Sequence, residues 1–121
     1  MIIRKFEAAV KEFDKCHDGK GVLLCTEMLA EYQRKEPGVK FYHDNILQPG
    51  DSIGEHLHKD DEEVYIIIEG TGIMKVDGKE ERVQSGDVCI TRKGHSHSLV
   101  NTGKTPMHFL VVGVVLQKAG Y

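Results

Sequence analysis

The fold is decided by the stretch at residues 64–83, which reads VYIIIEGTGIMKVDGKEERV. Its first five residues are apolar at consecutive positions, which is typical of a strand covered on both faces. Apolar and polar residues then alternate on either side of Asp77-Gly78. This pair favours a two-residue hairpin, because both central positions of a type I′ turn require a positive φ. The stretch therefore predicts a central strand followed by a hairpin.

Short strands of the same kind recur along most of the chain. The pattern predicts them also at residues 22–25, 39–47, 54–58, 88–91, 96–100 and 107–116, with Gly-containing turn signals between them. The segment at residues 28–32 fits either a strand or a helical turn. Eight or more short strands indicate an all-β sandwich or barrel. An antiparallel barrel would remove most edge strands and enclose a cavity.

The N-terminal segment shows a different period. Phe6, Val10, Phe13 and Cys16 recur at steps of four, three and three, which predicts a short amphipathic helix or helical turns, ending at the turn of residues 18–21. We therefore expect residues 1–38 to form an extension of short helix and strand that packs on a barrel of residues 39–121. A length of 121 residues corresponds to a single domain overall.

Composition and charge argue against several classes of protein. The hydrophobic fraction of 40% and the charged fraction of 29% are those of a globular protein. A net charge of −3 disfavours a nucleic-acid-binding protein, and no apolar run is long enough for a membrane span. The start of the chain lacks the apolar core of a signal peptide, so a cytoplasmic location is expected. The three cysteines form no CxxC pair and are interpreted as reduced thiols.

Four polar side chains suggest a metal site. His56 and His58 are two residues apart on a predicted strand and therefore share a face. Glu63 opens the next strand, where a buried carboxylate needs a partner such as a cation. We expect the polar residues 59–61 to bend the chain and reset its phase, so that Glu63 faces the same side. With His97 the set has three imidazoles and one carboxylate, which suits Mn, Fe, Co, Ni or Zn.

These residues resemble the two sequence motifs of the cupin family. The pattern G-x5-H-x-H-x4-E-x6-G at residues 50–70 matches the first motif at every position. The pattern G-x5-R-x-G-x2-H-x3-N at residues 86–101 matches the second, except that Arg92 stands where the family usually has proline. The resemblance extends over residues 39–115.

The resemblance implies an antiparallel double-sheet jelly-roll β-barrel, often a homodimer, that binds one divalent transition metal inside. It implies turn positions for the motif glycines and a turn-capping role for Asn101. The metal ligands implied by the resemblance are His56, His58, Glu63 and His97.

Three further side chains are candidates for moving a proton in catalysis. Imidazole titrates near neutrality, so His95 is a candidate proton carrier, although a histidine at such a place is more often a surface residue. Tyr65 is in phase with Glu63 and is a candidate for the pocket, although a core tyrosine is the commoner case. His43 is the third candidate, if its side chain faces inward.

The orientation of the strand at residues 41–47 is left open by its pattern. If odd positions face inward, His43 and Asn45 line the cavity; if not, Tyr42 and Asp44 do. The remaining histidines are interpreted as structural or exposed, namely His17 and His108.

Two classes of function fit these observations. The first is a metal-dependent enzyme that uses a Lewis-acid divalent cation on a small oxygenated metabolite, with isomerase, epimerase, lyase or dioxygenase chemistry. The second is a non-catalytic module that binds a metal and a small ligand. In both cases the expected partner is a small molecule and not a nucleic acid or a membrane. Arg92 is a candidate for binding an anionic ligand.

Overall fold

Ten β-strands make up the regular structure of residues 1–32 and 35–116, the part of the chain that this computed structural model describes. The strands are β1 (Ala9–Asp14), β2 (Val22–Glu27), β3 (Gly38–Leu47), β4 (Ser52–Leu57), β5 (Asp61–Glu69), β6 (Thr71–Val76), β7 (Lys79–Gln84), β8 (Val88–Thr91), β9 (Ser96–Asn101) and β10 (Met107–Val115).

The strands form two antiparallel sheets. One sheet has six strands in the order β1-β2-β3-β10-β5-β8, and the other has four in the order β4-β9-β6-β7. The predicted all-β architecture is confirmed. The ambiguous segment at residues 28–32 contains a turn and no strand. The apolar run within β5 is paired on both sides, with β10 and β8, but only one of its faces is buried, because Val64, Ile66 and Ile68 on the other face are partly exposed.

The hairpin predicted at Asp77-Gly78 connects β6 and β7. Asp77 has a φ of 50° and Gly78 a φ of 84°, so both central residues adopt the positive values that a type I′ turn requires. The two strands are paired from Val76 opposite Lys79 to Thr71 opposite Gln84. Local turn chemistry therefore determines the register of this pair of strands.

The predicted amphipathic helix at the N-terminus is wrong, and only the alternative of helical turns is confirmed. Only two short 3-10 turns are present, at Lys5–Glu7 and Cys16–Asp18, and between them β1 pairs with β2 along its whole length. An isolated helix of this size is marginal, whereas β1 obtains a complete antiparallel ladder. Phe6 and Val10 remain 85% and 59% exposed, so no helical face is buried. None of the helical segments in the described ranges has the length and hydrophobicity of a membrane-spanning helix.

The core lies between the inner faces of the two sheets. Leu47 of β3 and Phe109 of β10, from one sheet, and Leu99 of β9, from the other, are almost completely buried. Gly113 of β10 lies directly under the ring of Phe41, where a Cβ atom would come within 2.1 Å of the ring.

Asn101 at the end of β9 connects three segments of backbone. Its Nδ2 donates to the carbonyl oxygens of Leu47 and Thr105, both at 2.9 Å, and its Oδ1 accepts from the backbone N–H of Gly103. The side chain is 1% exposed. The turn-capping role expected for this residue therefore extends to a link between the two sheets.

Replacing Asn101 with alanine should lower the free energy of unfolding by about 2–3 kcal/mol, because buried backbone groups lose their partners. Urea unfolding measures this difference. The matched control is the exposed neighbour Thr102, whose replacement with alanine should change stability by less than about 0.5 kcal/mol. Similar losses for the two variants would contradict the linking role of Asn101.

Candidate metal centre

Four side chains from three strands and one adjoining turn meet at the inner side of the molecule. The donor atoms of His56, His58, Glu63 and His97 all lie within 4.8 Å of one another. Nε2 of His97 is 3.0 Å from Nε2 of both other imidazoles. Oε1 of Glu63 is 3.1 Å from Nε2 of His97 and 3.2 Å from Nε2 of His58. This cluster could hold a metal ion.

Strand pairing and one crossing between sheets assemble the cluster. His56 on β4 lies directly opposite His97 on β9, and His58 follows two residues later, just beyond the end of β4. The chain bends at residues 59–60 and enters β5, which belongs to the other sheet. Glu63, the third residue of β5, therefore faces the three imidazoles from across the interior.

Each imidazole is oriented through its other ring nitrogen. Nδ1 of His56 is 2.8 Å from the Gly54 carbonyl oxygen, and Nδ1 of His58 is 2.9 Å from a carboxylate oxygen of Asp61. Since these oxygens only accept, both Nδ1 atoms carry the proton, and in the neutral rings the Nε2 lone pairs face the cluster. Nδ1 of His97 is 2.6 Å from the hydroxyl oxygen of Thr91, a partner that orients the third ring.

The electrostatics of the cluster favour a carboxylate and an uncharged imidazole. Burial by itself raises the pKa of Glu63, but the neighbouring imidazoles of His58 and His97 outweigh it and hold the pKa at about 2. Burial lowers the pKa of His56 to about 4. The pKa of His58 is raised, chiefly by Glu63. At neutral pH the cluster therefore presents a charged oxygen donor and a neutral nitrogen donor.

The cluster matches the requirements of a transition-metal ion. Neighbouring ligands of an octahedral ion with bonds of about 2.1 Å are about 3.0 Å apart, and the closest donors here are separated by 3.0 to 3.2 Å. Oε1 of Glu63 is buried and has no hydrogen-bond partner among the described residues. Three imidazoles and one carboxylate suit Mn, Fe, Co, Ni and Zn, and the donor set does not select one of them.

A cavity of about 590 Å³ adjoins the cluster. His56 and Glu63 line it, together with His43 and Asn45 from the odd positions of β3 and with Tyr65 from β5. The inward face of β3 is therefore the odd one. A second cavity of similar volume lies near the edge strands β7 and β8, and none of the four cluster residues lines it.

The other polar residues considered from the sequence lie elsewhere. The half-exposed His95 pairs with Asp77 and does not line the cavity, so its role as a proton carrier stays a prediction. Arg92 is exposed and pairs with Glu62 at 3.3 Å. His108 contacts Asp44 at 2.8 Å.

Three residues next to the cluster have no distinguishing signal in the sequence. The ring of His17 stacks on that of His56 with centroids 3.7 Å apart, and it lines the cavity. It reaches this position because Gly54 approaches the His17 carbonyl so closely that a Cβ atom would lie 1.9 Å from it. Asp61 and Thr91 orient imidazoles but look like ordinary turn and strand residues in the sequence.

A second group that could hold a metal lies on β2 and β3, and consists of Cys25, Glu27 and His43. Glu27 already pairs with Lys11 at 3.0 Å. Burial raises the pKa of the Cys25 thiol to about 12, which keeps it protonated. A protonated thiol and a neutralised carboxylate are poor metal ligands, so this group is the weaker candidate.

Comparisons with known proteins agree with this geometry. The family model described as "Cupin domain" matches residues 45–113. The chain is 33% identical over 116 residues to an oxalate-binding protein of Thermotoga maritima, covering 96% of this chain and 95% of that protein. The crystal structure of a predicted oxalate decarboxylase from Thermotoga maritima superposes with a TM-score of 0.85 at 32% identity, over 96% of this chain and 100% of that one.

A third similarity is shorter. The chain is 32% identical over 60 residues to a tetracenomycin polyketide synthase protein of Streptomyces glaucescens. That match covers 50% of this chain and 40% of the other protein.

Replacing His58 with alanine should cut the metal content of the purified protein sharply, because one donor of the cluster is lost and Asp61 loses its partner. Replacing the neighbouring Glu62 should leave the metal content unchanged, since its carboxylate pairs with Arg92 at the surface. Elemental analysis of protein purified without chelator measures both. Equal losses in the two variants would contradict the ligand assignment.

Proposed function

The chain belongs to the cupin family, and from this premise we propose that it is a metal-dependent enzyme acting on a small oxygenated carboxylate. The proposed metal ligands are His56, His58, Glu63 and His97. The observation that carries the proposal is their position beside a cavity that also contains two polar side chains suited to proton transfer, His43 and Tyr65.

A divalent ion bound by the four ligands would supply Lewis-acid chemistry that polarises an oxygen of the substrate. The rest of the chemistry depends on the protein's own side chains. Leu23, Ile53 and Val111 form apolar parts of the cavity wall, against which the apolar part of a bound substrate can pack.

His43 and Tyr65 have complementary protonation states. Burial lowers the pKa of His43, so at neutral pH its imidazole is uncharged and can accept a proton. Burial raises the pKa of Tyr65 well above its usual value, so its hydroxyl stays protonated and can donate. The Tyr65 ring is held in place against Phe109 and His97, with ring centroids 5.3 and 5.1 Å away. A base and an acid therefore line one cavity.

The proposed reaction is of the isomerase, epimerase, lyase or dioxygenase type. Lyase chemistry on a carboxylate is favoured among these, because one similar structure is described as a predicted oxalate decarboxylase. A second candidate function is a non-catalytic module that binds a metal and a small ligand. Similarity to an oxalate-binding protein of Thermotoga maritima supports this alternative.

Metal-loaded protein should convert at least one of a panel of small carboxylates, which includes oxalate, malonate, lactate and tartrate. His43→Gln and Tyr65→Phe should each lower kcat by about 10²–10⁴-fold, because a positioned acid or base is lost. Substrate consumption measures turnover, and elemental analysis should show unchanged metal content. The control is His108→Gln, which alters a histidine outside the cavity. Tight binding of a carboxylate without turnover would instead establish the binding module.

We further propose that the protein forms a homodimer through the outer face of the six-stranded sheet. Residues on this face alternate with the inward-facing ones and are apolar in two neighbouring rows across β8, β5 and β10. Burial within one chain is incomplete along both rows, and Val88 and Ile90 are 57% and 46% exposed. The outer apolar face consists of Val64, Ile66, Val88, Ile90, Leu110 and Val112. An apolar patch of this kind is typical of an interface.

Replacing Ile90 with glutamate should convert the dimer to a monomer, because a charge would be buried at the interface. Light scattering coupled to size-exclusion chromatography measures the mass. Gln84→Glu, which places the same charge on the exposed part of the four-stranded sheet, is the control and should keep the dimer. A wild-type mass equal to that of one chain would refute this assembly.

A further inference from the structure

The described residues contain two buried side-chain oxygens that have no hydrogen-bond partner, and both belong to the lining of the same cavity. One is Oε1 of Glu63, in the metal cluster. The other is Oδ1 of Asn45, whose residue is only 3% exposed. A buried polar group without a partner destabilises a protein, and such groups in native structures call for an explanation. A metal ion at the cluster explains the first oxygen, and a ligand in the adjoining cavity explains the second.

The two oxygens lie at different places on the inner face of the six-stranded sheet. Glu63 on β5 is opposite Gly113 of β10, which in turn is opposite Phe41 of β3. Asn45 lies four residues further along β3. On a flat sheet the two residues would be about 10 Å apart across the strands and about 13 Å apart along them. A two-carbon acid bound at the cluster is too short to contact Asn45.

The cavity has the capacity for a longer ligand. Its volume of about 590 Å³ lies within the usual range of pockets for drug-sized ligands. The lining also includes several apolar side chains, contributed by both sheets. These are Phe13, Leu23, Phe41, Ile53 and Val111. Between the two polar ends, Val111 of β10 lies opposite His43 of β3 and Tyr65 of β5, so the middle of a well-matched ligand meets two rings and one apolar side chain.

We propose that the cavity takes an elongated hydroxy acid, with chelating carboxylate oxygens at the metal cluster, an aromatic middle and a distal hydroxyl on Asn45. This inference rests on the proposed metal site and names the substrate class for it. A hydroxyl suits Asn45, because it can donate to the amide oxygen and accept from the amide nitrogen. Asn45 is then a specificity-determining residue for the length and polarity of the ligand.

Two probes that differ by one distal hydroxyl test the proposal. Phenyllactate and 4-hydroxyphenyllactate share a chelating head and an aromatic middle, and only the second has the hydroxyl. Calorimetric titration of the metal-loaded protein should give about tenfold tighter binding of 4-hydroxyphenyllactate, as expected for one added hydrogen bond in a buried site. The variant Asn45→Leu has a similar volume and should reduce this ratio to about one. Its affinity for oxalate should stay unchanged.

The thermal stability of Asn45→Leu distinguishes a ligand contact from a structural role. Because the amide oxygen has no protein partner, the variant without ligand should unfold at the same temperature as wild type or higher. A marked fall in that temperature would assign Asn45 to the fold and overturn the proposal. Equal affinities of wild type for the two probes would overturn it too, as would a preference that survives in the variant.

Failure of the underlying metal site gives a different result. If wild-type protein binds no transition metal, the proposed function fails before any probe is tested. If it binds metal and oxalate but neither phenyllactate, the metal site stands and the elongated ligand is refuted. The variant His56→Ala, which removes one of the four donors, should lose affinity for both probes equally. It should not alter the effect that Asn45→Leu has on the unfolding temperature.

Discussion

The convergence of lone pairs at one point is the constraint on which the rest of the structure depends. The imidazoles of His56 and His58 donate through Nδ1 to Gly54 and Asp61, so their Nε2 lone pairs face the Glu63 carboxylate. Acceptors held about 3 Å apart repel one another unless a cation or a proton lies between them. The paired strands β4 and β9 and the crossing into β5 hold the donors in this arrangement. A positive charge at the centre therefore stabilises the arrangement of donors that the fold maintains.

The inner faces of the sheets combine a tight core with a cavity. Leu47, Leu99 and Phe109 are almost completely buried in the core. Next to them, His43, Asn45 and Tyr65 line the cavity. Buried polar side chains without complete hydrogen bonding lower stability, and proteins retain such groups at functional sites. The tightly packed apolar side chains therefore maintain the fold, whereas the polar side chains without complete hydrogen bonding mark the part of the interior that meets a ligand.

The segment at residues 1–14 shows how a short period can mislead. Steps of four, three and three residues fit a helix. The same spacing can also occur in a strand whose apolar residues are not all buried. Phe6 and Val10 remain exposed. Their apolar side chains therefore belong neither to the buried face of a helix nor to the core. Pairing with β2 provides a backbone ladder that a single helical turn does not provide. Tertiary pairing decides the conformation here, and local pattern does not.

The sequence by itself determined the strands from residue 22 onward, the hairpin at Asp77-Gly78 and the four residues of the cluster, because turn chemistry, alternation and motif spacing can be recognised along the chain. It left the inward face of β3 open and gave no sign that His17 stacks on His56 or that Thr91 orients His97. Those features depend on which strands become neighbours. A shift of one residue in pairing moves a side chain from the cavity to the surface. Only the tertiary structure, through its register and its crossing between sheets, decided which polar groups share the interior and which of them lack a partner.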